Sequence, residues 1–120
     1  MHNKTLILGA STKPERYSNK AIRMLIQHGH AVEAVGARDG DVEGVKIQTG
    51  TPLFEDIHTV TMYLGPNNQK NIYQYVINLR PKRIIFNPGT ENIEFMEMVK
   101  QNDIEVEVAC TLVLLSTDQF

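Results

Sequence analysis

The sequence predicts an α/β domain with a mainly parallel sheet of about five strands, and three observations carry this prediction. Short apolar runs of strand character alternate with segments of helical periodicity along the whole chain. Glycine, proline and small polar residues separate these segments, so the connections are short. The length of 120 residues suits one domain, which we expect to span residues 1–120.

The first half of the chain begins with the clearest of the predicted elements. The apolar run Thr5–Leu8 ends at a glycine and fits a buried parallel strand. Ser18 is placed to cap a helix that extends from Asn19 to His28 and carries an apolar side, and Gly29 suits its C-terminus. The remaining predicted elements of this half are a strand over 31–35, a weak strand near 45–47 and one helical turn over 52–57.

The second half repeats the alternation. The run Thr59–Leu64 predicts a strand that ends at Gly65, and Pro66 suits the first turn of a helix that continues to about Leu79. The later predicted elements are a buried strand over 83–86, a helix from Glu91 or Asn92 to Lys100, a period-two strand over 104–108 and a short helix or packed tail over 110–115. Strands joined through helices imply right-handed crossovers and hence parallel pairing.

Composition and charge exclude several classes of protein. The formal net charge of −2 argues against a protein that wraps a nucleic-acid duplex, and no apolar run is long enough to cross a membrane. The single cysteine, Cys110, excludes an intramolecular disulfide and a cysteine-rich zinc site. Residues 1–4 lead directly into a strand without a secretory hydrophobic region, so we expect a cytoplasmic location.

The loop after the first strand has the composition of a phosphate site. Ligands of parallel sheets bind outside the carboxyl ends of the strands, and there Ser11 and Thr12 offer hydroxyl groups while Lys13 and Arg16 offer cations. The dinucleotide fingerprint needs three glycines, of which only Gly9 is present, so NAD binding is poorly supported. Phosphate binding and an ordinary strand–helix connection with solvated charges are about equally supported by these residues alone.

The residues after the second strand favour a nucleotide with an extra phosphate on its ribose. NAD-binding domains place an acid near this position, whereas Arg38 follows Gly36 and Ala37 here and tolerates a ribose phosphate. Coenzyme A and NADP both carry such a phosphate. The alternative is that Arg38 is an ordinary solvated loop residue, which is the commoner situation for an isolated arginine.

Two further turns are expected at the same edge of the sheet. Gly65 after Leu64, and Gly89 within the turn that begins at Asn87, allow close approach of a ligand to the backbone. Simple turn chemistry explains either turn alone. Four such turns at one edge nevertheless predict a lined cleft.

Catalytic and metal sites are not indicated. Cys110 follows the last strand, but none of the four histidines is an obvious base for its thiol, so a small buried hydrophobe is the simpler interpretation. Among the acids only Glu91 is expected near the cleft, and Glu105 and Glu107 are expected to be solvated. No acid–base pair and no metal-ligand spacing stand out, so we predict neither catalytic nor metal-binding residues.

Four sequence blocks carry a resemblance to a known family: Gly9–Ser18, Gly29–Gly36, Asn87–Asn92 and Glu107–Val113. With these blocks the chain resembles, from Thr5 to about Leu115, the stand-alone bacterial CoA-binding proteins. Their domain is shared with the N-terminal part of the succinyl-CoA synthetase alpha subunit. The synthetase has a second domain with a phosphorylatable histidine that this sequence does not include, so ligase activity is not implied.

The resemblance implies a Rossmann-like three-layer domain that binds coenzyme A or an acyl-CoA. It implies that the loop from Gly9 to Lys13, together with Arg16, holds the phosphates of CoA. It also implies that Gly36, Ala37 and Arg38 line the adenosine side, and that Leu64, Gly65 and the turn from Asn87 to Thr90 border the path of pantetheine or adenine. The complete predicted set is Gly9, Ala10, Ser11, Thr12, Lys13, Arg16, Gly36, Ala37, Arg38, Leu64, Gly65, Asn87, Pro88 and Gly89.

We therefore expect a binding protein for a small-molecule CoA ligand, with no nucleic-acid or membrane partner and without evident catalytic machinery. One alternative is an NADP-linked or CoA-transferring enzyme that uses Cys110. Another is a CoA-sensing regulatory module, as a homodimer or with a protein partner. For such an interface the sequence offers three tyrosines that look exposed, although core packing explains at least some of them equally well: Tyr63, Tyr73 and Tyr75.

Overall fold

The computed structural model describes residues 4–120, so the first three residues, on which part of the predicted location rests, lie outside it. Its strands are β1 (Thr5–Ala10), β2 (Val32–Gly36), β3 (Gly40–Val42), β4 (Val45–Gln48), β5 (Thr59–Met62), β6 (Arg83–Phe86) and β7 (Glu105–Val108). Its α-helices are α1 (Tyr17–Gln27), α2 (Tyr73–Leu79), α3 (Ile93–Gln101) and α4 (Thr111–Ser116). None of these helices is long and apolar enough to cross a membrane.

The strands form one sheet in the order β3-β4-β2-β1-β5-β6-β7, and the α/β class with a mostly parallel sheet is confirmed. The predicted strand number of about five is wrong, because the sheet has seven strands, and β3 pairs with β4 in antiparallel fashion. The glycine-rich segment after β2 folds into this hairpin. Glu43 and Gly44 both have positive φ at its turn, as a type I′ turn requires, and the Asp41 carboxylate accepts the Gly44 N–H at 3.0 Å.

Two predicted helical segments differ in the structure. The single helix predicted from Pro66 to Leu79 is instead two 3-10 turns, Pro66–Asn68 and Lys70–Ile72, followed by α2. The buried side chain of Gln69 donates to the carbonyl oxygens of Leu64 and Thr90, which fixes the chain between the two turns and prevents regular winding. The helical turn predicted over 52–57 is also absent, and Ile57 packs into the core from an irregular chain.

The start of α1 also differs from the prediction. The helix begins at Tyr17, its N-cap is Arg16, and no side chain caps it. Ser18, the predicted cap, lies within the first turn and is only 5% exposed. The amino end of α1 is therefore open to a group supplied from outside the helix.

Two hydrophobic clusters hold the helices against opposite faces of the sheet. Alternate residues of β1 point to opposite sides, so Leu6 and Leu8 contact the cluster of α2 and α3 while Ile7 contacts that of α1 and α4. β5 is fully buried, and β1 and β6 are buried except for Gly9 and Arg83, as expected for parallel strands covered on both faces. This arrangement leaves the carboxyl ends of β1, β2 and β5 as the edge at which loops gather.

The tyrosines predicted to be available for an interface belong to these cores. Tyr73 is 9% exposed, and Tyr63 and Tyr75 are partly buried against the two clusters. The expectation that they are exposed is therefore wrong, because each ring supplies apolar area that the clusters cover. Tyr17, with 68% of its surface exposed, lies on α1 near the open helix end.

Candidate ligand-binding cleft

A cleft of about 540 Å³ lies at the carboxyl ends of β1 and β2, beside the amino end of α1. Its volume falls within the range typical of small-molecule sites. Nine of the fourteen predicted ligand-binding residues line it: Gly9, Ala10, Ser11, Thr12, Lys13, Arg16, Ala37, Arg38 and Pro88. The others, Gly36, Leu64, Gly65, Asn87 and Gly89, are not among its lining residues. The lining residues outside the predicted set are Tyr17, Ser18, Asp39, Tyr63 and Thr90.

The amino end of α1 lies at the cleft. Arg16, Tyr17 and Ser18 all line it, and the first turn of the helix contains no acidic residue. The first N–H groups of any helix lack partners within the helix, and the helix dipole adds a partial positive charge there. Without a side-chain cap, this end of α1 favours an anion.

The charged side chains of the cleft reinforce that preference. Lys13, Arg16 and Arg38 are exposed cations, whereas Asp39 is the one acid among the lining residues. The chain as a whole carries a formal charge of −2, so positive charge is concentrated here against the overall balance. A cleft lined mainly by one sign of charge raises the local concentration of oppositely charged ligands.

Glycines let three strands approach closely beneath the cleft. Gly9 has φ +92° at an irregularity in the pairing of β1 with β2, and a Cβ there would lie 3.0 Å from the backbone of Tyr63. A Cβ on Gly36 would lie 2.3 Å from the carbonyl oxygen of Ala10. Gly36 therefore serves the close approach of β2 to the end of β1, and its place in the ligand-binding set stays a prediction.

Tyr63 lies between the cleft and the buried hydroxyl groups of Thr61 and Thr111. Tyr63 lines the cleft, while its hydroxyl is buried beside the hydroxyls of Thr61 and Thr111 without a well-formed hydrogen bond to either. Burial raises the pKa of Tyr63 to about 12, and the neighbouring hydroxyls of Thr111 and Thr61 counteract this only in part. Those two hydroxyls bond each other at 2.7 Å.

Replacing Tyr63 with phenylalanine should stabilise the protein by about 1 kcal/mol at neutral pH, because it removes a buried hydroxyl without a partner. The raised pKa also predicts a pH effect. Above pH 10 the unfolded chain ionises first, so this tyrosine lowers stability as the pH rises from about 10 to about 12. Urea denaturation at pH 8 and at pH 11 should show a larger advantage for Tyr63→Phe at the higher pH.

Tyr75→Phe is the matched control for this prediction. The Tyr75 hydroxyl donates to the carbonyl oxygen of Pro52 at 2.6 Å, so its removal should destabilise the protein by about 1 kcal/mol. Equal losses of stability in the two variants at pH 8 would show that the Tyr63 hydroxyl has a partner after all.

A buried amide holds the loops on the β6 side of the cleft. Asn87 is 2% exposed; its Nδ2 donates to Thr61 Oγ1 and to the Met62 carbonyl oxygen, and its Oδ1 accepts the Thr111 N–H. It thereby joins the ends of β5 and β6 to the start of α4. The Thr90 hydroxyl, at the cleft, donates to the Asn87 carbonyl oxygen at 2.7 Å. Asn87 thus contacts protein groups on all sides, and a direct contact with ligand stays a prediction.

The remaining predicted residues lie around this turn and the preceding one. The Gly89 N–H donates to the carboxylate of Glu91 at 2.8 Å, which closes the turn after β6. Gly65 precedes the first 3-10 turn with φ −65°, and a Cβ there would meet nothing within 4 Å. The Leu64 carbonyl oxygen accepts from Gln69. All three residues lie at the correct edge of the sheet but outside the lining of the cleft.

Groups suited to catalysis do not gather in the cleft. Cys110 is a partly buried free thiol at the N-cap of α4 and is not a lining residue. Among residues 4–120, no three histidine, cysteine or acidic side chains form a group that could hold a metal ion. Glu107, expected to be solvated, instead pairs with Arg83 at 3.0 Å, because β6 and β7 are neighbours in the sheet.

Comparisons with solved structures identify close relatives of the fold. A crystal structure described as that of an uncharacterized protein is 46% identical, with a TM-score of 0.97; the match covers 100% of this chain and 99% of that one. A protein from Thermus thermophilus is 23% identical (TM-score 0.86, covering 99% and 91%). A hypothetical protein from Pyrococcus horikoshii is 24% identical (TM-score 0.86, covering 97% and 83%). No curated protein matches significantly.

The comparison with protein families gives a more specific result. Residues 3–116 match the family described as CoA binding domain, which covers nearly the whole chain. The resemblance stated from the four sequence blocks is thereby confirmed. The chain belongs to the CoA binding domain family.

Proposed function

We propose that the protein binds coenzyme A or an acyl-CoA in the cleft beside α1, with the CoA phosphates at the loop that follows β1. Membership of the CoA binding domain family supports CoA binding at a general level. The observation that carries the proposed position is the uncapped amino end of α1, which opens into the cleft beside Lys13 and Arg16. Backbone N–H groups, a helix dipole and two cations together suit a pyrophosphate group.

The other lining residues suggest an orientation for the ligand. Arg38 and Asp39 follow β2, where the adenosine ribose lies in related sheets, so the Arg38 guanidinium is placed for the 3′-phosphate of CoA. Tyr63 and Pro88 offer less polar surface on the opposite side, which suits the pantetheine chain. Since Cys110 and the histidines do not line this cleft, we propose binding without chemistry by the protein itself.

Isothermal titration calorimetry with CoA, dephospho-CoA, NAD and NADP tests the proposal. We expect CoA to bind with the highest affinity, dephospho-CoA to bind more weakly and NAD to bind least. A folded sample that takes up no CoA would disprove CoA binding. A sample that prefers NADP to CoA would instead support the alternative of an NADP-linked protein.

Arg38→Ala should weaken CoA binding about tenfold while leaving the affinity for dephospho-CoA nearly unchanged, because the lost contact is to the 3′-phosphate alone. The two titrations on the same variant form an internal control for folding. Equal weakening of both ligands would place Arg38 elsewhere in the site.

Mass spectrometry addresses the alternative role of Cys110. Incubation with CoA disulfide or an acyl-CoA should leave the protein mass unchanged, because the partly buried thiol lies outside the cleft lining. A mass increase lost in Cys110→Ser would support the CoA-transferring alternative. Light scattering with and without CoA tests the predicted regulatory module or dimer.

A further inference from the structure

Two side chains of α1 donate hydrogen bonds to the backbone of the loop between β1 and α1. Asn19 Nδ2 donates to the Ser11 carbonyl oxygen at 2.9 Å, and Arg23 Nη2 donates to the Pro14 carbonyl oxygen at 3.0 Å. Arg23 Nε also donates to Asn19 Oδ1 at 2.8 Å. The two residues are four apart on one helix, so their side chains meet on the same face. One connected set of hydrogen bonds therefore spans the loop from Ser11 to Pro14.

This connection determines which way the Asn19 amide faces. Arg23 Nε can only donate, so it must face the amide oxygen of Asn19, and the amide NH₂ is then left for the Ser11 carbonyl oxygen. Asn19 is 3% exposed, so the solvent does not compete for these groups. The conformation of the loop thus depends on Arg23 through Asn19.

We propose that Asn19 and Arg23 form a clamp that positions the anion-binding loop, a role that rests on the proposed binding of CoA. The clamp engages two carbonyl oxygens, whose negative ends would otherwise repel a phosphate. Within the same loop, the Lys13 N–H donates to Ser11 Oγ at 3.1 Å and the Arg16 N–H donates to the Lys13 carbonyl oxygen. Holding the loop in one conformation before the ligand arrives reduces the entropic cost of binding.

Arg23→Lys tests the clamp while keeping the charge. A lysine ammonium lacks the planar fork that serves Asn19 and Pro14 together. We expect the Kd for CoA to rise about tenfold, with the same dependence on salt concentration as the wild-type protein. Arg80→Lys, at an exposed arginine after α2, is the matched control and should change the Kd less than twofold. Wild-type affinity in folded Arg23→Lys would overturn the proposal.

A double-mutant cycle separates the clamp from two independent contacts. If Arg23 acts partly through Asn19, the variant Asn19→Ala/Arg23→Lys should lose less affinity for CoA than the sum of the two single losses, because only the direct contact of Arg23 with Pro14 is left to remove in the Asn19→Ala protein. Additive losses would contradict a clamp. Thermal melting identifies any variant that does not fold. If Asn19→Ala fails to fold, Arg23→Lys alone tests the proposal, because the Arg23 side chain is only partly buried and its replacement should be tolerated.

Amide hydrogen exchange of residues 11–16 in the ligand-free protein gives a readout that does not depend on CoA. Exchange should be faster in Arg23→Lys and in Asn19→Ala than in the wild-type protein or Arg80→Lys. Unchanged exchange in both clamp variants would overturn the proposed positioning. If the wild-type protein binds no CoA, the proposed function fails and the binding role of the clamp fails with it. Faster exchange would then still show that the two side chains hold the loop.

Discussion

Replacing Lys13 and Arg16 together with alanine should weaken CoA binding about 100-fold, the largest effect on affinity that we expect from any pair of residues in the cleft. Each side chain is placed for one charge-assisted hydrogen bond to a phosphate, and each such bond is worth about a factor of ten. Both residues are exposed, so the double variant should remain folded.

Titrations at several salt concentrations distinguish a direct contact from a general charge effect. The double variant should lose affinity and also much of the salt dependence, because two of the three cleft cations are gone. Lys46→Ala/Lys100→Ala removes the same charge from exposed positions on β4 and α3. Equal weakening by both double variants would show that net charge, and not the loop after β1, governs binding.

The lining residues nearest to β1 were predictable because their chemistry is local. A strand that ends at Gly9 and continues through hydroxyl and cationic residues into a helix places those groups together in any parallel sheet. Arg38 follows by the same rule from the end of β2. Neither prediction depends on the order of the other strands in the sheet. Both therefore hold although the predicted number of strands is wrong.

Among the lining residues outside the predicted set, Tyr63 depends on packing that no local pattern shows. Tyr63 directly follows β5, which ends at Met62. Its backbone passes so close to Gly9 that a Cβ at Gly9 would lie 3.0 Å from it. Thr90 belongs to the predicted turn after β6, and Asp39 directly follows the predicted turn after β2, so the rule that selected their neighbours could have included them. Asp39 in particular is adjacent to Arg38 and reaches the same cleft.

The buried polar network could not be inferred from sequence spacing. Asn87 bonds groups 24 to 26 positions away, and Gln69 bonds Thr90 21 positions away. Asparagine and glutamine in turns usually bond locally or to water, so nothing in the sequence marks these two as buried. The bonds of Gln69 also interrupt the helix predicted before α2.

Gly36→Ala should destabilise the protein by about 3 kcal/mol, the largest effect on stability that we expect from adding a single methyl group. The new Cβ would lie 2.3 Å from the Ala10 carbonyl oxygen and 3.0 Å from Ile47. The first is a backbone atom that cannot rotate away, so β2 must move away from β1. Urea denaturation should show a lower midpoint, and any loss of CoA affinity should follow from the shifted end of β1.

Two other glycines separate the effect of space from that of backbone conformation. Gly65→Ala adds its Cβ to open space at φ −65°, a value that alanine adopts freely, so stability should stay constant or rise by about 0.5 kcal/mol. Gly89→Ala also meets open space but at φ +89°, so it should cost about 1 kcal/mol through strain alone. If Gly36→Ala were no more destabilising than Gly89→Ala, the strands would have room to adjust, and a direct role of Gly36 in ligand binding would be the better explanation for glycine at that position.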